Sequence, residues 1–371
     1  MSVRRFILAP DSFKGTLRAQ EVCTILKEEL SAAFPQAEIV SLPIADGGEG
    51  TVEAMQSALG GALRFCRVTG PEFSPCDAAY LLLSDGTAVA ETASCAGLPM
   101  AVRKDPTCST TYGVGELILR AARDGAKRLI LGLGGSATHD GGCGAAAALG
   151  VRFSDGEKTF IPTGGTLERI AEIDCSGIPA CVRQLKITCM CDVENPLTGP
   201  NGASCVFAPQ KGADAQTVQL LERNLLAFAA LGDRLHSGPL SAQAGVGAAG
   251  GLGYGMKLFF GAELKSGVET VLECAGFDRL LTDSAVVVTG EGKLDRQSFG
   301  GKVITGILRH CRSAGVPVWA VVGCADAEIV PSEVGLAGVV PTCEPGGDFA
   351  WVRAHAEENL RFAAGKLCEL L

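Results

Sequence analysis

A chain of 371 residues is long enough for roughly two domains, and its 47% hydrophobic content supplies a core that excludes wholesale disorder. A formal net charge of −9 excludes a general nucleic-acid binder, which needs a basic face, yet leaves room for a small anion held by a local cluster of Lys and Arg. Sixteen cysteines without a CxxC pair and four scattered histidines argue against zinc and against a disulfide framework, so the cysteines read as reduced thiols in apolar runs.

In chain order, Phe6–Ala9 is a short apolar run that predicts a strand. The apolar stretch before Pro10 is too short for a signal-peptide core. No window approaches the ~20 apolar residues of a membrane helix, so a cytoplasmic location without a membrane partner is expected. A loop with Asp11, Ser12 and Lys14 follows, then a helix over 17–33 with apolar side chains at helical spacing. A second strand, Glu38–Leu42, leads into "ADGGEGT" at 45–51, and a helix is predicted over Thr51–Leu59. Glycine turns that open helices usually hold phosphate through backbone N–H groups, which Asp46 and Glu49 would repel. Those carboxylates suit a Mg²⁺ ion or the hydroxyls of a sugar acid. Ordinary turn formation and a helix N-terminus that favours acids account for the same residues without function.

The middle of the chain is less regular. Strand Arg128–Leu131 runs into "GLGGSATHDGG" at 132–142 and an alanine-rich helix. Gly132–Ala137 matches GxGxxA, a weak dinucleotide signal, and Asp155 lies near where a ribose-binding acid would stand. Residues 138–142 interrupt the helix such a site requires. The loop therefore reads as a phosphate or hydroxyl loop, with Gly134, Gly135, Ser136 and Thr138 as its donors. A later strand ends at Asp192, a candidate for metal binding or hydroxyl activation, in "CDVENPLTGPNGA". "FAPQKGA" places Lys211, a candidate anion ligand, before a helix over 214–231. A second GxGxxG at 245–250 has no strand before it, and packing explains it as well as binding does.

Near the C-terminus, Ala285–Val288 predicts a buried parallel strand that ends in Gly290-Glu291-Gly292-Lys293-Leu294-Asp295. A helix over 302–314, strands Val318–Val322 and 339–340, and a closing helix over 348–370 follow. Alternating strands and helices predict an α/β fold with an open, mostly parallel, Rossmann-like sheet. One domain would be formed by both termini, 1–65 plus 283–371, with a second α/β domain, 66–282, inserted.

Ligands of open parallel sheets bind beyond the carboxyl ends of the strands. If the loops after Ala9, Leu42 and Val288 are neighbours, Lys14 and Lys293 face Asp46, Glu49 and Asp295 across one cleft. That mixture suits phosphoryl transfer from a nucleotide. Gly134, Gly135, Gly290 and Gly292 would offer backbone donors to phosphates, and Asp46, Asp192 and Glu291 would hold Mg²⁺. Lys14 and Lys293 would stabilise the moving charge. Asp192 or Asp295 would accept or orient the attacking hydroxyl. Ser12, Asp46, Glu49 and either Lys211 or Arg296 would bind the acceptor. GxxxxGK[ST], H-R-D and D-F-G are absent, which excludes a P-loop or protein-kinase site. The residues alone lead to an anion- or nucleotide-binding α/β enzyme.

Eight stretches in order, "APDSFKG" (9–15), "ADGGEGT" (45–51), "TTYGVGELI" (110–118), "GLGGSATHDGG" (132–142), "CDVENPLTGPNGAS" (191–204), "FAPQKGA" (207–213), "GAAGGLG" (247–253) and "TGEGKLDRQSFGGKV" (289–303), closely resemble the bacterial glycerate kinase family of the non-P-loop, glycerate 2-kinase type. The resemblance implies a flavodoxin-like domain built from both termini with an inserted second domain. It also implies ATP-dependent phosphorylation of D-glycerate, a need for Mg²⁺, usually 2-phosphoglycerate as product, and a monomer or homodimer. His139 stands where the family pattern usually has Asn, and Gly300 where other residues are common. An NAD-dependent dehydrogenase of a small hydroxy acid and a non-catalytic sugar-acid-binding regulator are the alternatives.

Overall fold

The structure is a computed structural model that describes residues 5–13, 15–45, 47–236, 238–282, 284–295, 298, 303–344, 346 and 348–371. The chain divides into two compact units, one of Met1–Ala45, Glu53–Gly60 and Gly267–Leu371, the other of Asp46–Val52 and Gly61–Ser266. Beside the expected 1–65 plus 283–371, the unit holding both ends takes in the helix Gly267–Ala275 and leaves out the strand Ala62–Thr69, through which the expected 65/66 boundary runs.

The first unit is built on a sheet of five parallel strands, in the order Gly338–Pro341, Val318–Val322, Ala285–Gly290, Arg5–Pro10, Glu38–Ser41. Numbered along the chain within the unit and read from the Glu38–Ser41 edge, that order is 2-1-3-4-5, the flavodoxin-like arrangement. The two central strands carry uninterrupted apolar runs because both faces of a parallel sheet are covered. On one face Phe6, Leu8 and Val288 meet Val22, Leu26 and Leu30 of the helix Ala19–Ala33, together with Leu360, Ala363 and Leu367 of the helix Ala356–Leu370. The closing helix expected over 348–370 is two helices, Phe349–Ala354 and Ala356–Leu370, parted at His355 with φ −114° and ψ 18°. The first segment buries none of its residues, and Trp351 stacks on His355 at the junction with ring centroids 4.3 Å apart.

The second unit has a six-stranded mixed sheet, ordered Glu263–Lys265, Lys186–Met190, Arg128–Gly132, Thr87–Glu91, Pro75–Leu82, Ala62–Thr69. The first four strands are parallel and the last two join them antiparallel. The register sets Glu91, Gly132 and Met190 level along the carboxyl edge, with Lys265 beside Met190. Val114, Leu117, Ile118 and Ala121 of the helix Tyr112–Arg123 pack with Leu129, Leu131, Phe228 and Tyr254 into the core. The helix expected over 214–231 runs on as Ala215–His236, with Leu221, Leu225, Phe228, Ala229 and Gly232 along its buried stripe. The tract holding the second GxGxxG enters the helix Ala248–Phe260, broken by left-handed φ values at Ala249, Gly250 and Gly251. The break lets Gly250 O accept from Gly141 N at 3.1 Å, so packing accounts for this motif. Among the described residues, no helix is long and apolar enough to cross a membrane.

Candidate active site

In the second unit, the doubly acidic turn is stitched to the glycine loop by backbone contacts. Gly134 N donates to Gly47 O at 2.9 Å, and Leu133 N donates to Met190 O at 3.3 Å. A Cβ on Gly132 would lie 2.4 Å from Gly47 O, and one on Gly134 would lie 2.6 Å from Gly48 Cα. Only glycine permits two main chains to approach so closely. Glu49 is exposed. Asp46, like Lys14 and Arg296, lies outside the described residues.

The helix Thr51–Leu59 begins under a carboxylate that the sequence reading did not single out. Glu91, at the carboxyl end of its strand and 7% exposed, accepts from Gly50 N at 3.4 Å and from Val52 N. A helix start leaves backbone N–H groups without intrahelical partners, and a negative charge there is favourable. The sequence signal was modest: an acid that closes an apolar strand, four positions before Cys95 in "ETASC".

Residues 133–142 form no helix, and the next one, Cys143–Ala148, starts only after Gly142 in left-handed conformation. Gly135 at the turn is exposed and Gly134 half-buried. The Ser136 and Thr138 hydroxyls lie 2.7 Å apart, and Thr138 N donates to Ser136 Oγ at 3.0 Å. Beneath them Asp140 is fully buried and accepts from Thr111 N at 2.7 Å, Thr111 Oγ1 at 2.9 Å, and Gly142 N and Gly144 N at 3.1 Å each. Burial raises its pKa against the pull of those donors. Lys211 is 2% exposed, and its ammonium donates to Thr138 O at 2.6 Å, so it braces the loop from below. Burial lowers its pKa to about 7, with the Asp140 charge opposing. His139 Nε2 lies 3.0 Å from Ser204 Oγ, and its buried Nδ1 has no hydrogen-bond partner. Burial, and then the Lys211 charge, hold His139 well below the usual imidazole range, so it is neutral. Asp192 is exposed in the segment after the strand Lys186–Met190, where Asn195 Nδ2 donates to Asn201 O at 2.7 Å.

In the first unit, the strand order reverses between Arg5–Pro10 and Ala285–Gly290, the place where open α/β sheets bind ligands. Thr289 Oγ1 donates to Ala9 O at 2.9 Å and Asp11 N to Gly290 O at 2.8 Å, so both loops leave the sheet together. Asp11 Oδ1 accepts from Ser12 N at 2.6 Å. Glu291 is buried, and its carbonyl accepts from Gly323 N at 3.0 Å, while Gly292 O accepts from Cys324 N at 3.2 Å. The exposed Lys293 ammonium lies 3.2 Å from Asp326 Oδ1 and 3.4 Å from Asp295 Oδ2. Hydrogen bonds to Asp326 and then Asp295 hold its pKa above the ordinary lysine value. Asp295 is fixed in turn, donating its N–H to Ser298 Oγ at 3.1 Å and accepting from Ser298 N at 3.3 Å. The structure thus gathers Asp11, Ser12, Gly290, Glu291, Gly292, Lys293 and Asp295 at one end of one sheet, and adds Asp326, which follows a strand too short to read from sequence, Cys324–Ala325.

Among the described residues there is no group of three or more His, Cys, Asp or Glu side chains that could cage a metal. Mg²⁺ takes one or two carboxylates when polyphosphate oxygens and waters fill its other positions, and each unit by itself offers a carboxylate of that chemical kind, the exposed Asp192 in the second and the buried Glu291 in the first.

The sequence profile described as Glycerate kinase family matches residues 6–371. The chain is 42% identical to the glycerate kinase of Bacillus subtilis (strain 168) and to the glycerate 2-kinase of Escherichia coli (strain K12), each over 86% of this chain and 85% of that protein. It is 39% identical to the glycerate kinase of Haemophilus influenzae over 99% of this chain and 98% of that one. A crystal structure from Salmonella typhimurium LT2, provisionally described as glycerate kinase 2, superposes with a TM-score of 0.88 at 37% identity, covering 100% of this chain and 98% of that one. A profile match that spans both units, with relatives of this identity and coverage, places the chain in the glycerate kinase family, and it is a phosphotransferase of that family.

Proposed function

We propose that the protein transfers the γ-phosphoryl group of ATP to D-glycerate, giving 2-phosphoglycerate, in the cytoplasm. The observation that carries this reading is the first unit's switch point, where a lysine held between carboxylates stands beside glycine-bearing turns at the carboxyl ends of the central strands. The name of the Escherichia coli relative supports the 2-position as the one phosphorylated.

Phosphoryl transfer asks a protein mainly to position its reactants and to stabilise spreading negative charge. Lys293, with Lys14, serves that charge in this reading, and Asp295 or Asp192 accepts or orients the hydroxyl proton. The Gly135 N–H and the Ser136 hydroxyl, with Gly290 and Gly292, suit phosphate oxygens, whereas the Gly134 N–H is already given to Gly47 O and Thr138 is fully buried with its N–H on Ser136 Oγ, so those two shape the loop instead. Ser12, Asp46 and Glu49 suit the glycerate hydroxyls, and Arg296 its carboxylate. Lys211, directed at Thr138 O from a buried position, serves by shaping the loop. Mg²⁺, held by Asp46, Asp192 or Glu291, would supply neutralisation of polyphosphate charge. The dehydrogenase alternative has less support, because residues 133–142 lack the helix start on which a dinucleotide pyrophosphate rests.

The test is ADP release with D-glycerate supplied or withheld, with and without Mg²⁺, beside a titration with NAD⁺. Release that depends on D-glycerate and Mg²⁺ is expected. NAD⁺ reduction without ADP release would overturn the proposal.

A further inference from the structure

Gly50, the residue before the helix Thr51–Leu59, has no side chain to cap the helix. The acceptor comes instead from a different strand: Glu91 Oε2 takes Gly50 N at 3.4 Å, and Oε1 takes Val52 N. The other end of the segment is fixed at Gly47, whose carbonyl accepts from Gly134 N at 2.9 Å. Thr51 Oγ1 closes the turn internally, donating to Gly48 O at 2.8 Å. The exposed Glu49 therefore sits between two fastenings, one to Glu91 at the carboxyl edge of the second unit's sheet and one to Gly134, two residues past Gly132, which lies level with Glu91 on that edge.

We infer that Glu91 is a positioning residue for the reaction, holding the Gly47–Val52 segment, and with it Glu49, in the geometry that phosphoryl transfer requires. The inference rests on the proposed function and extends it to a residue outside the set proposed to bind the reactants. Its chemistry is specific. Two backbone N–H groups meet two carboxylate oxygens, so an amide at this position leaves one N–H facing the NH₂ group, donor against donor. The side chain is 7% exposed, so water does not readily take over the lost acceptor. A displacement of about 1 Å in a positioning element costs on the order of 10²-fold in rate.

The experiment compares wild type with Glu91→Gln, Glu91→Asp and the control Glu53→Gln, whose carboxylate makes an exposed ion pair with Arg18. It reads kcat, KM for D-glycerate, and amide hydrogen exchange at Gly50 and Val52. For Glu91→Gln, kcat is expected to fall by about 10- to 100-fold. Faster exchange confined to residues 50–52 and a melting temperature lowered by no more than a few degrees should accompany that fall. Glu91→Asp is expected to recover part of the rate, and Glu53→Gln all of it. Wild-type kcat and exchange in Glu91→Gln would overturn the inference. So would rapid exchange of the Gly50 and Val52 amides in the wild-type protein, a measurement that stands even if the variant does not fold. A wild-type protein that releases no ADP with D-glycerate would contradict the proposed function instead, and the exchange data would still judge the hold of Glu91 on the segment.

Discussion

Lys211 donates its ammonium proton to the carbonyl of Thr138 at 2.6 Å, from a position where both residues are buried. The bond supports the glycine loop from beneath and charges the interior, and the two effects separate with pH. Burial lowers the Lys211 pKa from 10.5 to about 7 in the folded chain. Between those values the unfolded chain holds a proton that the folded chain has released, so this group makes stability rise with pH across the window, by up to about 1.4 kcal/mol per unit. Lys211→Met removes the dependence and leaves the Thr138 carbonyl unpaired, at a cost of about 1–3 kcal/mol. Urea melts of both proteins from pH 7 to 10 should show the wild type gaining on the variant as pH rises. Parallel curves would contradict the assignment.

His310 titrates with the opposite sign. Burial lowers its pKa, but hydrogen bonds to Asp278 at 2.6 Å and Glu269 at 3.1 Å outweigh that and raise it above 6.5. The stability it contributes is fully present below pH 6.5 and is lost as pH rises through the elevated folded-state value. His310→Gln should therefore narrow the gap to wild type as pH increases above 6.5, read from melting temperatures in matched buffers.

Two glycine substitutions should act in opposite directions. Gly134→Ala sets a Cβ 2.6 Å from the Gly48 Cα, and backbone on both sides cannot yield cheaply. A loss of about 1–3 kcal/mol is expected, together with loss of turnover. Gly365 lies within the helix Ala356–Leu370, and a Cβ there meets nothing within 4 Å. Gly365→Ala should add about 0.5–1 kcal/mol from helix propensity. Denaturant midpoints of the two variants check both signs.

The fold was legible where one periodicity ran long enough. Apolar runs at Phe6–Ala9 and Ala285–Val288 announced central strands, and the spacing over 17–33 announced the helix Ala19–Ala33. The hairpin Ala62–Thr69 with Pro75–Leu82 was missed because the first strand, ALRFCRVT, keeps no strict alternation of apolar and polar residues and buries only Val68, which blurred the boundary expected at 65. At the candidate site, glycine and acid clusters marked the loops, but the groups that hold them come from afar. Glu91 is a single acid at the end of a strand, and Asp326 follows a two-residue strand. Lys211 was visible as a cation before a helix, yet nothing local says that its ammonium is buried and aimed at Thr138.

Lys293 is flanked by Asp326 and Asp295, which keep it charged through the neutral range. Replacement by Met removes one pre-organised charge and should lower kcat by on the order of 10²–10³. Circular dichroism should remain unchanged, because the side chain is exposed. Turnover within a few-fold of wild type would remove Lys293 from the reaction.

The most direct measurement is phosphorus NMR of the protein incubated with ATP, Mg²⁺ and D-glycerate. Transfer to the secondary hydroxyl predicts a phosphomonoester resonance split into a doublet by a single proton, growing as ADP accumulates. A triplet from the primary hydroxyl would contradict the assigned product, and the absence of any new phosphomonoester would contradict glycerate phosphorylation itself.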